Sequence, residues 1–171
     1  MALYRDHHVT IFVSADVADP IEATRRKWDP VMATQIPAHV TLAYPQEVPI
    51  VDRLFQRVRA ASSRCRPFRL RFGGLACFDR PEGGVYVNVE DLDGGYHKLR
   101  DEVLRPPCQR IALPPHVTLV HPRTSSRGRE FWDSGSYEQQ DQEFTAEEVT
   151  ITAFDGTKWV VLMTYLLAWK Q

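Results

Sequence analysis

The chain has 171 residues, 43% of them apolar, with 21 Lys and Arg against 22 Asp and Glu. That length holds one domain, or two small lobes sharing a core, and the near-zero net charge argues against a dedicated duplex-DNA binder, which needs a basic excess. Cys65, Cys77 and Cys108 are odd in number and fit no metal spacing, so they read as reduced thiols of a cytoplasmic protein; the start has no signal-peptide pattern, and no stretch is long enough to span a membrane.

His8 to Ser14 is β-branched and aromatic and reads as a strand. Asp19 and Pro20 suggest a helix start, with the helix running through Trp28 and, perturbed at Pro30, on towards Thr34. Pro37 leads into a strand, His39 to Tyr44, and Pro45 closes it. Val51 to Ser63 has helical spacing, and Phe68, Leu70 and Phe72 alternate as in a strand. "RPEGG" at Arg80 to Gly84 is a turn. Val85 to Glu90 is then a strand, Gly94 to Leu104 a helix and His116 to Val120 a strand. A polar loop from Arg123 leads to a short helix near Phe131 and Trp132. Phe144 to Phe154 reads as one strand, and the apolar run Trp159 to Trp169 as a buried last strand. His7 and His97 read as surface residues.

One phrase occurs twice. "PAHVTLAYP" at Pro37 to Pro45 matches "PPHVTLVHP" at Pro114 to Pro122 in six of nine positions, 77 residues later. The same offset carries Val9 to Tyr86 and Phe68 to Thr145, so strands and helices repeat along with the motif. This predicts a single domain, 1–171, of two repeats related by a pseudo-two-fold axis, about 1–82 and 83–171.

In a strand, residues i and i+2 share a face. His39 and Thr41 therefore point one way while Val40 and Leu42 enter the core; His116 and Thr118 do the same against Val117 and Leu119. Two imidazoles and two hydroxyls facing across a cleft suit phosphoryl chemistry. A neutral imidazole takes a proton from the attacking oxygen, a protonated one gives a proton to the leaving oxygen, and the hydroxyls donate to non-bridging oxygens. Each motif offers one metal ligand with no carboxylate or cysteine at ligand spacing, so neither metal nor other cofactor is expected. A third, looser copy, His8 to Ile11, has no flanking proline, and the offset pairs His8 with Val85; His8 and Thr10 are expected to support the site rather than to drive it.

At these residues the sequence resembles the two-histidine (2H) phosphoesterase superfamily, in its bacterial 2′-5′ RNA ligase-like branch. The hallmark is a pair of H-x-[Thr/Ser]-x motifs, here His39-Val40-Thr41-Leu42 and His116-Val117-Thr118-Leu119. The resemblance implies a bilobal α+β fold, two pseudo-symmetric lobes each with an antiparallel sheet and outer helices around a central cleft. It implies metal-independent chemistry on 2′,3′-cyclic phosphates or 2′-5′ bonds of RNA or nucleotides, with His39 and His116 as acid and base and Thr41 and Thr118 on the phosphate. Many ligase-like members carry an arginine where this chain has His121, so the grip falls to His121 or to Arg123, Arg127 or Arg129; Tyr44 and Phe78 are candidates for stacking on a base. The expected partner is a small nucleotide or RNA end, met by a monomer, with neither membrane nor duplex DNA involved. Reversible 2′-5′ ligation and a non-catalytic nucleotide- or RNA-binding module are the alternatives.

Overall fold

β-Branched and aromatic runs make the strands, and apolar residues at helical spacing make the helices that cover them. The computed structural model describes residues 6–48 and 51–168. In chain order the elements are β1 (His7–Phe12), α1 (Ala15–Trp28), α2 (Pro30–Gln35), β2 (His39–Ala43), α3 (Val51–Ser62), β3 (Phe68–Cys77), β4 (Val85–Asp91), α4 (Gly95–Val103), β5 (His116–Val120), α5 (Gly128–Ser134), β6 (Glu143–Ala146), β7 (Glu148–Phe154) and β8 (Trp159–Leu166). Short 3-10 turns lie at Pro45–Glu47 and Pro81–Gly83. The fold is α+β, as expected.

The expectation of one sheet per lobe is corrected. The eight strands form one antiparallel sheet in the order β6-β3-β4-β5-β2-β1-β7-β8. Its two halves meet at β2 and β5 through a single partner pair, Val40 and Val117. The order is symmetric about that join: β5 and β2 are innermost, then β4 and β1, then β3 and β7. β3, from before residue 82, lies beside β4, while β7, from after it, lies beside β1. Each half of the sheet thus mixes strands from both sides of the repeat boundary.

Because β2 and β5 pair so briefly, carbonyls of β2 need other partners. α4 supplies them: Tyr96 Oη donates to the Thr41 carbonyl at 2.9 Å and Arg100 donates to the Leu42 carbonyl at 2.6 Å. Two buried ion pairs brace the segments that enter the motif strands. Arg25, 1% exposed, donates to the Ile36 carbonyl, while its partner Glu22 accepts from Ala38 N–H. Arg100 and the fully buried Glu47 do the same around Ile111, through its carbonyl and its N–H.

The apolar face of the sheet, with Val9, Ile11, Val40, Leu42, Val87, Val117, Leu119 and Ile151, joins the core contributed by Ile21 and Trp28 of α1, Leu54 and Val58 of α3, and Tyr96, Leu99 and Val103 of α4. The opposite face carries the motif histidines.

Several expected elements shift for local reasons. α1 starts at Ala15 after Ser14, and Pro20 sits in its second turn, where its missing N–H removes one backbone bond. The break falls at Asp29, whose carboxylate caps α2 by accepting from Met32 N–H. Phe144 to Phe154 is two strands, because β6 pairs with β3 while β7 pairs with β1 in the other half of the sheet. β8 is an edge strand and not a buried one: Val161, Met163 and Leu166 are 59%, 45% and 74% exposed. Its expected end at Trp169, and the Val51 side chain, lie outside what is described. His7 is buried, edge-on to Phe55, rather than at the surface; His97 is exposed as expected.

Candidate active site

The strand partners define the polar face. On β4 and β5, Tyr86 lies opposite Thr118 and Asn88 opposite His116. On β1 and β2, Phe12 lies opposite His39 and Thr10 opposite Thr41. β2 and β5 are antiparallel neighbours matched at Val40 and Val117, so both histidines and both threonines flank the central join of the sheet.

Both motif imidazoles are held in one way. His39 Nδ1 lies 2.8 Å from the Pro37 carbonyl and His116 Nδ1 lies 2.8 Å from the Pro114 carbonyl. A carbonyl only accepts, so each Nδ1 carries the proton and donates it. Each Nε2 is left without a hydrogen bond among the described residues, a bare lone pair when the ring is neutral and an N–H donor when it is charged. The repeated proline two residues before each histidine thus has a chemical role: its carbonyl selects the tautomer and aims the ring.

Burial leads the lowering of both titrations. His39 falls to about 4, through desolvation first, with the Arg25 guanidinium and the His116 imidazole pushing the same way against the Pro37 hydrogen bond. His116 is lowered by desolvation alone, opposed by its hydrogen bond to the Pro114 carbonyl. The match of Val40 with Val117 puts His39 and His116 on neighbouring strands, each one residue before that pair.

The two sides differ beyond the motifs. His116 is walled by aromatics, with Tyr86 at 4.8 Å and Phe78 at 5.3 Å between ring centroids. Beside His39 stands His8, edge-on at 5.2 Å, itself under Trp159 at 4.8 Å. His8 Nε2 is 2.9 Å from Thr41 Oγ1. Tyr44 lies 6.1 Å from the His8 ring, and burial raises its phenol titration.

The loop after β5 is anchored by Asp29, fully buried, whose Oδ2 accepts from His121 N–H and from the Thr124 hydroxyl. His121 Nδ1 accepts from Arg123 N–H, and burial, then the Arg123 charge, lower its titration against the pull of Asp29. Arg123 is exposed on that loop. Arg127 is committed elsewhere: it lies 4.4 Å over Trp28 and pairs with Glu130. Arg129 pairs with Glu82. Among the described residues, no hydrogen bond, ion pair or ring contact joins His121 or Arg123 to either motif histidine. Gly84, at φ +113° against Pro122 and Phe78, lets the turn before β4 close on the loop after β5. No three His, Cys, Asp or Glu side chains converge as a metal-ligand set among the described residues.

Sequence reasoning missed Asn88, Tyr86, Trp159 and Phe12. Their signal was present in the strand alternation, but choosing the face required knowing which strands are neighbours.

The sequence model of the 2′-5′ RNA ligase superfamily matches residues 13–158. No curated protein matches the chain. The fold is similar to that of E. coli LigT complexed with 3′-AMP, with a TM-score of 0.63 at 18% identity over 97% of this chain and 99% of that one. LigT complexed with NADP+ gives 0.64 at 18% identity with the same coverage. The TT0787 protein of Thermus thermophilus gives 0.60 at 19% identity over 95% of this chain and 97% of that one.

Proposed function

From the premise that this chain belongs to the 2′-5′ RNA ligase superfamily, whose model spans most of it, we propose that it is a metal-independent phosphodiesterase opening 2′,3′-cyclic phosphates of nucleotides or RNA ends. The observation that carries the reading is the matched pair of imidazoles, each with Nδ1 tied to a proline carbonyl and Nε2 left free on the polar face. LigT structures hold 3′-AMP and NADP+, which fits a small nucleotide as the substrate here.

In the hydrolytic direction, His39 Nε2 takes the proton of a water that attacks phosphorus. The bond to the 3′-oxygen breaks, and His116 Nε2–H protonates that oxygen, leaving a 2′-phosphate. His39 takes the base role because desolvation, Arg25 and His116 all keep it neutral. His116, with only desolvation against it, is the readier to hold a proton once the anionic phosphate is bound. Thr41 and Thr118 donate to the non-bridging oxygens, where negative charge gathers. Tyr44, Phe78 and the exposed Arg123 serve the rest of the nucleotide. The protein works as a monomeric cytoplasmic enzyme of two repeats, about 1–82 and 83–171, without duplex DNA. No helix among the described residues is long and apolar enough to cross a membrane.

The test is hydrolysis of adenosine 2′,3′-cyclic monophosphate with the product identified by phosphorus NMR. Adenosine 2′-monophosphate as sole product supports the reading; absence of turnover, with the nucleotide still bound, reduces it to a binding module.

A further inference from the structure

The third HVT copy is not absorbed by the two-histidine scheme, and its residues diverge in the fold. Thr10 is fully buried and its hydroxyl points to the Thr150 carbonyl, away from the reaction. His8 is different: its imidazole reaches a motif threonine. We infer that His8 is a positioning residue for the phosphate site, donating from Nε2 to the Thr41 hydroxyl oxygen so that the hydroxyl proton is turned towards substrate. The inference rests on the phosphodiesterase reading for its consequence, and on geometry for its direction.

The direction follows from counting protons. His8 Nε2 and Thr41 Oγ1 are 2.9 Å apart in a buried setting. A neutral imidazole has one N–H, so the bond has two forms. If the hydroxyl donates, the ring proton sits on Nδ1. That nitrogen is buried and has no hydrogen-bond partner among the described residues, so the form strands an N–H. If Nε2 donates, Nδ1 is only a bare lone pair. A buried N–H without an acceptor is the rarer and costlier orphan, so the second form prevails. A doubly protonated ring is disfavoured by burial and by the neighbouring His39. With one lone pair of Oγ1 taken by His8, the proton of Thr41 is turned away from the imidazole. An anionic phosphate needs that polarity, because it accepts and does not donate.

The two motif threonines are therefore unequal. Opposite Thr118 stands Tyr86, at the strand position that Thr10 holds opposite Thr41, and no imidazole reaches Thr118 among the described residues. Thr41 is set in advance, under the cover of Trp159 on His8, whereas Thr118 adapts to its ligand.

Two substitutions separate positioning from packing. His8→Gln keeps an N–H donor near the Nε2 position; His8→Phe keeps a ring and removes the donor. With adenosine 2′,3′-cyclic monophosphate as substrate, His8→Phe should raise KM by about three- to tenfold, the worth of one neutral hydrogen bond, with a smaller change in kcat. The Kd for adenosine 2′-monophosphate should rise by a similar factor, and His8→Gln should restore most of both. In a Thr41→Val background His8→Phe should have no further effect, whereas in a Thr118→Val background it should act in full. Nitrogen NMR of the wild-type ring should find the His8 proton on Nε2. A proton on Nδ1 overturns the inference whatever the protein turns over. So does a Gln variant as impaired as the Phe variant in KM or Kd. Absence of turnover in the wild type instead counts against the phosphodiesterase reading, while the tautomer and the nucleotide affinity still decide the role of His8.

Discussion

Replacing Glu47 with alanine tests whether the buried ion pairs brace the site. Glu47 is fully buried, and its carboxylate accepts from Arg100 through both oxygens, from Tyr44 N–H and from Ile111 N–H. Truncation strands the Arg100 charge, which is 8% exposed, and leaves two backbone donors without that acceptor. Breaking a buried pair by removing one partner costs about 3–5 kcal/mol, a fifth or more of a typical domain's stability. With a urea m-value of about 2 kcal/mol/M, the unfolding midpoint should fall by roughly 1.5–2.5 M. Glu102→Ala is the control: its pairs with Arg64 and Arg105 lie at the surface, with both arginines more than half exposed, and should cost about 1 kcal/mol or less each. Urea unfolding followed by circular dichroism reads both variants. A Glu47→Ala midpoint within the range of Glu102→Ala would refute the bracing argument. A large drop confirms it, and residual activity below the midpoint should then be impaired, because the pair joins the end of β2 to the segment entering β5.

Other outcomes follow from the same geometry. The pH profile of kcat/KM should be bell-shaped, with its maximum on the acid side of the ordinary histidine value of 6.5, because both motif histidines are lowered; a maximum above pH 7.5 contradicts this. Stability should also respond to pH. The lowered values of His8, His39 and His116 mean that the unfolded chain binds protons first, so stability is full above pH 6.5 and falls as pH drops towards the folded values; urea midpoints from pH 7.5 to 5 measure it. Turnover should survive EDTA, and loss with chelator followed by recovery with a divalent ion would overturn the metal-free chemistry. Arg123→Ala should raise KM with little loss of stability. Arg127→Ala should do the reverse, losing its contact with Trp28 at about 0.5–1 kcal/mol; equal KM effects in the two would contradict the division.

The motif strands were legible because His39 to Ala43 and His116 to Val120 obey strand alternation, and the duplicated phrase singled them out. The 77-residue offset matches β1 with β4 and β2 with β5, and these strands hold equivalent positions on either side of the β2–β5 join. It misplaced the third strand: Phe68 maps by number to Thr145 in β6, whereas β7 holds the mate position of β3. Local periodicity cannot show that Glu147 separates two strands, because only their partners, β3 and β1, pull them apart. The exposure of β8 was hidden for the same reason, since an apolar run reads alike at the edge or the centre of a sheet. The tautomers of His39 and His116 were implicit in Pro37 and Pro114, but only backbone geometry shows that those carbonyls turn onto the rings.

The central claim is that His39 and His116 work as one acid–base pair, and steady-state hydrolysis of adenosine 2′,3′-cyclic monophosphate by the wild type, His39→Ala, His116→Ala and the double variant tests it most directly. Each single substitution should lower kcat by about 10²-fold or more, since each removes one positioned proton-transfer group. The double variant should fall little below the worse single one, because the two act as a unit. Either single variant retaining wild-type turnover while folded by circular dichroism would contradict the account.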